Sequence, residues 1–122
     1  NLTILSQDGA ILDQIELPDL RQSSIRHLAL AGDAIAFAMQ WEGDPAEPVP
    51  QLGLWRRGSA PVLCNPAPAE LFTMQGYAGS VAATADRVLI TSPRGGAAMV
   101  FASDGAPVAT HRRADLSGAA VS

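Results

Sequence analysis

Three stretches decide the fold: Leu2-Thr-Ile-Leu-Ser-Gln-Asp-Gly-Ala-Ile-Leu12, Leu52-Gly-Leu-Trp-Arg-Arg-Gly-Ser-Ala-Pro-Val62 and Ala98-Met-Val-Phe-Ala-Ser-Asp-Gly-Ala-Pro-Val108. Each reads as an apolar strand, a polar pair, a glycine and a second apolar strand. The glycines are Gly9, Gly58 and Gly105, spaced by 49 and 47 residues, and Leu5, Leu54 and Phe101 stand four residues before them. Asp8-Gly9 and Asp104-Gly105 are hairpin signals, because glycine accepts the positive φ that a tight turn between strands demands. Arg57-Gly58 keeps the glycine without the aspartate.

A second element recurs between these hairpins. Arg26-His-Leu-Ala-Leu-Ala-Gly-Asp33 followed by Ala34-Ile-Ala-Phe-Ala-Met39 matches Gly79-Ser-Val-Ala-Ala-Thr-Ala-Asp86 followed by Arg87-Val-Leu-Ile-Thr-Ser92, with Asp33 and Asp86 53 residues apart. The surplus spacing falls in the loop 41–50, which is longer than its counterpart 93–96, and repeat proteins take insertions in such loops. One period is then strand, short turn, strand, variable loop, strand, glycine turn, strand: a four-stranded antiparallel sheet of the size of a propeller blade. Ile35, Phe37 and Met39 alternate with alanines instead of charges, as a strand buried on both faces requires.

The fold class that follows is all-β, a β-propeller fragment of about two and a half four-stranded blades. Residues 1–16 are the outer strands of one blade, 17–65 and 66–111 are two blades, and 112–122 are the inner strand of the next. Both ends read as cut, and residues 67–74 read as a single helical turn whose Leu71, Phe72 and Met74 cap the gap between blades. The rival architecture is a β-sandwich, which also suits short strands at this spacing. The repeat disfavours it, since a sandwich has no reason to use one hairpin three times.

Composition narrows the function classes. All eight positive charges are arginine, and the formal net charge is −4. Phosphate recognition needs clustered basic residues on one face, so a nucleic-acid partner is not expected, and Arg56-Arg57 and Arg112-Arg113 read as solvated turn charges. No apolar run reaches the length of a membrane span. Cys64 is the only cysteine, which excludes an internal disulfide and a cysteine-based zinc cage. It reads as a small buried apolar residue at the end of a strand.

The stretches Ser24-Ile-Arg-His-Leu28, Gln40-Trp-Glu-Gly-Asp44, Tyr77-Ala-Gly-Ser-Val81, Thr91-Ser-Pro-Arg-Gly-Gly96 and Asp115-Leu-Ser-Gly118 resemble the bacterial family known as domain of unknown function 1513. The resemblance runs over essentially the whole chain. It implies a longer parent folded as a propeller, exported to the periplasm by the twin-arginine route and often encoded near iron-uptake components. This chain is similar to a later part of such a parent, and the resemblance brings no established activity.

Arg26 and His27 read as residues at the start of an inner strand, near the axis where propellers hold ligands. There Arg26 could clamp an anion and His27 could bond or move a proton, or His27 could tie neighbouring blades through a backbone carbonyl. The loop Ser92-Pro-Arg-Gly-Gly96 could cradle an anion beside Arg94, or be a tight loop closed by that arginine. It is no P-loop, because no Lys-Ser or Lys-Thr follows.

Trp41 and Tyr77 are amphipathic groups; Trp41 suits a partner surface or equally a gap between blades, and Gln40 lies with Arg26, Tyr77 and Arg94 on the face a partner would meet. The binding set is therefore Arg26, His27, Gln40, Trp41, Tyr77, Ser92 and Arg94. Ser80, Ser92 and His27 lack the Gly-x-Ser-x-Gly elbow of a serine hydrolase. Asp33 and Asp86 read as turn formers and His111 as solvent-facing, so neither a metal nor another cofactor is expected.

These readings converge on a periplasmic binding or scaffold protein. Its partner would be a protein or a small anionic ligand, and the open blade faces would favour self-association. The alternative is an enzyme acting on an anionic substrate through His27, Arg26 and Arg94.

Overall fold

The computed structural model describes residues 1–122 as ten strands: β1 (Leu2–Leu5), β2 (Ile11–Ile15), β3 (Ser23–Ala31), β4 (Ala34–Trp41), β5 (Leu52–Trp55), β6 (Val62–Cys64), β7 (Ser80–Ala83), β8 (Arg87–Ser92), β9 (Ala97–Ala102) and β10 (Pro107–Arg112). They make three antiparallel sheets: the hairpin β1-β2, the meander β3-β4-β5-β6 and the meander β7-β8-β9-β10. The fold is all-β, and the set of sheets is open. All three expected hairpins form, with Gly9, Gly58 and Gly105 at φ of 89°, 80° and 89°. The one α-helix, α1 (Pro68–Thr73), and a 3-10 turn at Pro18–Leu20 complete the regular structure.

The middle sheet has unlike faces, and the sequence of β4 shows why. Successive side chains of a strand point to opposite faces, so Ala34, Ala36 and Ala38 share one side and Ile35, Phe37 and Met39 the other. The alanine face, with Leu52 and Leu54, packs against Val88, Ile90, Met99 and Phe101 of the third sheet. The bulky face, where Phe37, Met39 and Trp55 are fully buried, packs against Leu2, Ile4 and Ile15 of the first hairpin. Gly53 lies directly opposite Phe37 across the ladder, and the ring covers it so closely that a Cβ there would stand 2.0 Å from Phe37 Cζ.

The turns repeat this stacking. The Gly58 turn donates its backbone N–H to Asp13 Oδ2 of β2 at 2.8 Å, and the Gly105 turn packs against Cys64 and Val62 of β6. Each outer hairpin thus rests on the outer strand of the sheet before it. At the same end of the strands, Gly32 packs against Ala85, turn on turn. Leu28 and Leu30 of β3 are 55% and 76% exposed. They stand opposite Phe37 and Ile35, beside the first hairpin on the bulky face.

Two expectations need correction. Residues 113–122 form no strand; the segment crosses the far face of the third sheet, where Thr91 Oγ1 donates to the Ser117 carbonyl at 2.6 Å and Ala119 N–H donates to Ser80 Oγ at 3.2 Å. A strand needs a ladder partner for its backbone groups, and none is adjacent there. The equivalence of Leu54 with Phe101 also slips by one. Ile35 pairs with Trp55, whereas its counterpart Val88 pairs with Phe101. Leu54 therefore faces forward to the next sheet and Phe101 back to the previous one, because a shift of one residue exchanges faces.

Cys64 sits in the alanine-face core, 1% exposed. Burial, helped by the nearby Asp104 carboxylate, pushes its thiol up from 9.0 to about 12. The folded thiol keeps its proton at pH values where the unfolded one loses it, so this contribution to stability is complete below pH 9.0 and is lost toward about 12. Urea melts across that range should show stability falling by up to about 1.4 kcal/mol per pH unit, and Cys64→Ala should flatten the slope. Thiol reagents should label Cys64 only after unfolding. Labelling of the native protein at the rate of a free thiol would contradict this burial.

Candidate functional site: a cleft between two sheets

At the end of β4 the chain turns into the long loop, and Trp41 fixes that turn. Its indole N–H donates to the Asp44 carbonyl at 2.8 Å and covers Gly43, where a Cβ would stand 2.2 Å from the ring. Asp44 Oδ1 accepts from the Ala46 N–H at 2.9 Å, which closes an Asx turn. The segment 76–78 then runs antiparallel to the strand end. Trp41 N–H donates to the Gly76 carbonyl at 2.7 Å, Ala78 N–H donates to the Met39 carbonyl at 3.2 Å, and Gln40 pairs with Tyr77.

The loop between β8 and β9 is bolted to the end of α1. Ser92 is fully buried; its hydroxyl donates to the Met74 carbonyl at 2.7 Å and accepts from the Gly95 N–H at 3.1 Å. Gly95 presses so closely on Thr73 that only a residue without Cβ fits. This anchoring holds the Arg94 guanidinium over the Tyr77 ring, 4.8 Å from its centre, a cation–π arrangement.

Between the long loop, the end of α1 and Arg94 lies a cleft of about 520 Å³. Trp41, Val49, Leu71 and Phe72 give it an apolar wall, with Phe72 43% exposed; Glu47, Gln51, Gln75 and Arg94 supply polar groups. Gln75 has a φ of 50°, an unusual conformation for a side chain with a Cβ, and it directs the chain from α1 into the rim. Gln51 is 3% exposed: its Nε2 donates to the Val49 carbonyl at 2.8 Å, while its Oε1 accepts no hydrogen bond. Another hollow, of about 510 Å³ between Asn1, Glu16, Arg21 and Ser23, has no aromatic wall.

The five stretches that carry the family resemblance form one continuous contact chain here. Ser24 pairs with Gln40, Gln40 with Tyr77, Gly79 N–H donates to the Thr91 carbonyl at 2.7 Å, and Thr91 bonds Ser117. The full chain matches the model of a family described as protein of unknown function (DUF1513) over residues 1–122. The chain belongs to that family. Searches of curated proteins and of solved structures find no chain similar to it.

In this DUF1513 chain the expected binding residues divide into two groups. Trp41 and Arg94 line the cleft, Tyr77 supports Arg94 from beneath, Gln40 holds the 76–78 segment, and Ser92 is an internal strut. Arg26 and His27 line no cavity. Arg26 is the extra residue of a β-bulge and pairs with Glu42 at 2.8 Å, both side chains about half exposed. His27 stands opposite Ala38, half-buried, on the face toward the third sheet. The alternative enzyme needed Arg26, His27 and Arg94 in one cleft; of the three, only Arg94 lines this one.

Gln51, Phe72, Gln75 and Glu47 were not among the expected residues. A glutamine entering an apolar strand reads as loop, and Phe72 reads as core. No three His, Cys, Asp or Glu side chains lie close enough to hold a metal ion. No helix is long and apolar enough to cross a membrane.

Proposed function

We propose that this chain is part of a β-propeller that works as a periplasmic binding or scaffold protein, with its ligand or partner seated in the cleft beside Trp41 and Arg94. One observation carries the reading: two sheets, a helix end and two loops converge on a concavity of about 520 Å³ whose single guanidinium is held in place by an aromatic face. That volume is within the range of about 300–1,000 Å³ usual for ligand sites, and Trp41, Val49, Leu71 and Phe72 set an apolar wall beside the polar groups. The propeller reading is supported by the recurrence of four-stranded sheets that rest turn upon turn. The exposed Leu28 and Leu30 suit a further sheet continuing that stack, from the same polypeptide or by self-association. Twin-arginine export and a setting near iron uptake rest on the family resemblance.

Capture from periplasmic extract with the full-length natural protein as bait tests this. Arg94→Ala and Trp41→Ala should each lower recovery of the bound species at least about tenfold, the loss of one charge-assisted or aromatic anchor. Both variants should keep the wild-type circular dichroism spectrum. Undiminished capture by both would remove the cleft as the binding site.

A further inference from the structure

The polar groups of the cleft are not arranged for a simple anion. Arg94 offers the only positive charge, and Glu47 and Gln51 share the wall with it. One N–H of the Gln51 amide is committed to the Val49 carbonyl, and its oxygen is buried and accepts no hydrogen bond. Buried acceptors are nearly always paired, and one left open in the wall of a cleft marks where a donor belongs. Gln51 is part of the cleft lining, and turning its terminal torsion brings that oxygen toward the cleft in exchange for the Val49 bond. Phe72 adds an exposed aromatic surface beside Trp41 and Leu71.

The geometry points to a ligand with three features: a carboxylate for Arg94, a protonated amine for Glu47 and the Gln51 carbonyl, and an apolar side chain against Phe72 and Trp41. That is an apolar α-amino acid, bound as its zwitterion. A guanidinium takes a carboxylate in two parallel hydrogen bonds, which fixes that end. The ammonium then supplies the donors that Gln51 and Glu47 lack. A plain carboxylate would satisfy Arg94 and leave the buried carbonyl open, and sites built to bond a donor strongly reject analogues without one. The cleft volume holds one such molecule.

This inference rests on the cleft being the binding site, and the experiment separates the two. Calorimetry on the full-length natural protein would compare phenylalanine with 3-phenylpropionate, the same acid without its amine. Phenylalanine should bind at least tenfold more tightly. Gln51→Leu, which removes an unpaired polar group from the interior, and Glu47→Gln on the exposed rim should each reduce that preference. Arg94→Ala should weaken both probes.

Equal or tighter binding of 3-phenylpropionate, abolished by Arg94→Ala, would overturn the amino-acid assignment and leave the cleft as an anion site. Binding of neither probe would also overturn it, while capture that depends on Trp41 and Arg94 would then keep the cleft as a protein-binding surface. A preference for phenylalanine untouched by Gln51→Leu and Glu47→Gln would equally overturn the assigned roles.

Discussion

Gly95→Ala is expected to destabilise the protein by about 3 kcal/mol or more and to abolish binding at the cleft. A Cβ on Gly95 would stand 1.5 Å from the Thr73 carbonyl oxygen and 3.2 Å from Met74 Cα, both backbone atoms that cannot rotate away. The loop must lift from α1, and the bonds that join Ser92 to Met74 and Gly95 break with it. Stranding buried polar groups costs about 1–3 kcal/mol, and forcing extra volume into a packed contact costs about as much again. For a chain of this size the melting temperature should fall by roughly 10 °C.

Arg94 leaves its place over Tyr77 in the same movement, so binding and stability should be lost together. Gly118→Ala is the control, since nothing lies within 4 Å of a Cβ built there. A Gly95→Ala protein that melts with the wild type would mean that the loop does not rest on the helix as described.

The second large effect is in the bulky face of the middle sheet. Phe37→Ala should cost about 3–5 kcal/mol, the range for truncating a fully buried phenylalanine. Gly53→Ala should cost about 1–3 kcal/mol, because its new methyl group would enter the Phe37 ring. The two costs should not add. With the ring removed the methyl group has room and fills part of the cavity, so Gly53→Ala in the Phe37→Ala background should be neutral or stabilising. Urea unfolding of the four proteins reads the coupling directly, at about 1–3 kcal/mol. Additive losses would show that the ring and the glycine do not meet.

The sheets were legible in the sequence because their signals are local. Glycines at positive φ announced three hairpins, and the alternation of alanine with Ile35, Phe37 and Met39 announced a strand buried on both sides. The face each residue takes in the third strand of a sheet was not legible. The chain from Trp55 to Gly58 is one residue shorter than that from Phe101 to Gly105, and counting back from the glycine hides the difference. The cleft was half legible. Trp41 and Arg94 stand out as residue types, but they meet only because segment 76–78 pairs with the end of β4, a contact set by packing across sheets and not by any neighbour in sequence. Gln51 gave no signal, since its isolation becomes visible only when the atoms around it are placed. Arg26 and His27 were read as partners of Arg94 because inner strands and loops of a propeller converge near its axis, yet the bulge at Arg26 turns that guanidinium to Glu42.

The unlike faces of the middle sheet give the assembly a polarity. Its alanine side accepts the bulky side of the sheet that follows, and its own bulky side is received by the hairpin that precedes it. An inverted sheet would bring Phe37 and Trp55 against Val88 and Phe101, with no small residues to receive them. Two alanine sides facing one another would leave a void. Stacking is therefore vectorial: a further sheet built on the same pattern would join head to tail, the heterologous mode that either closes into a ring or stays open.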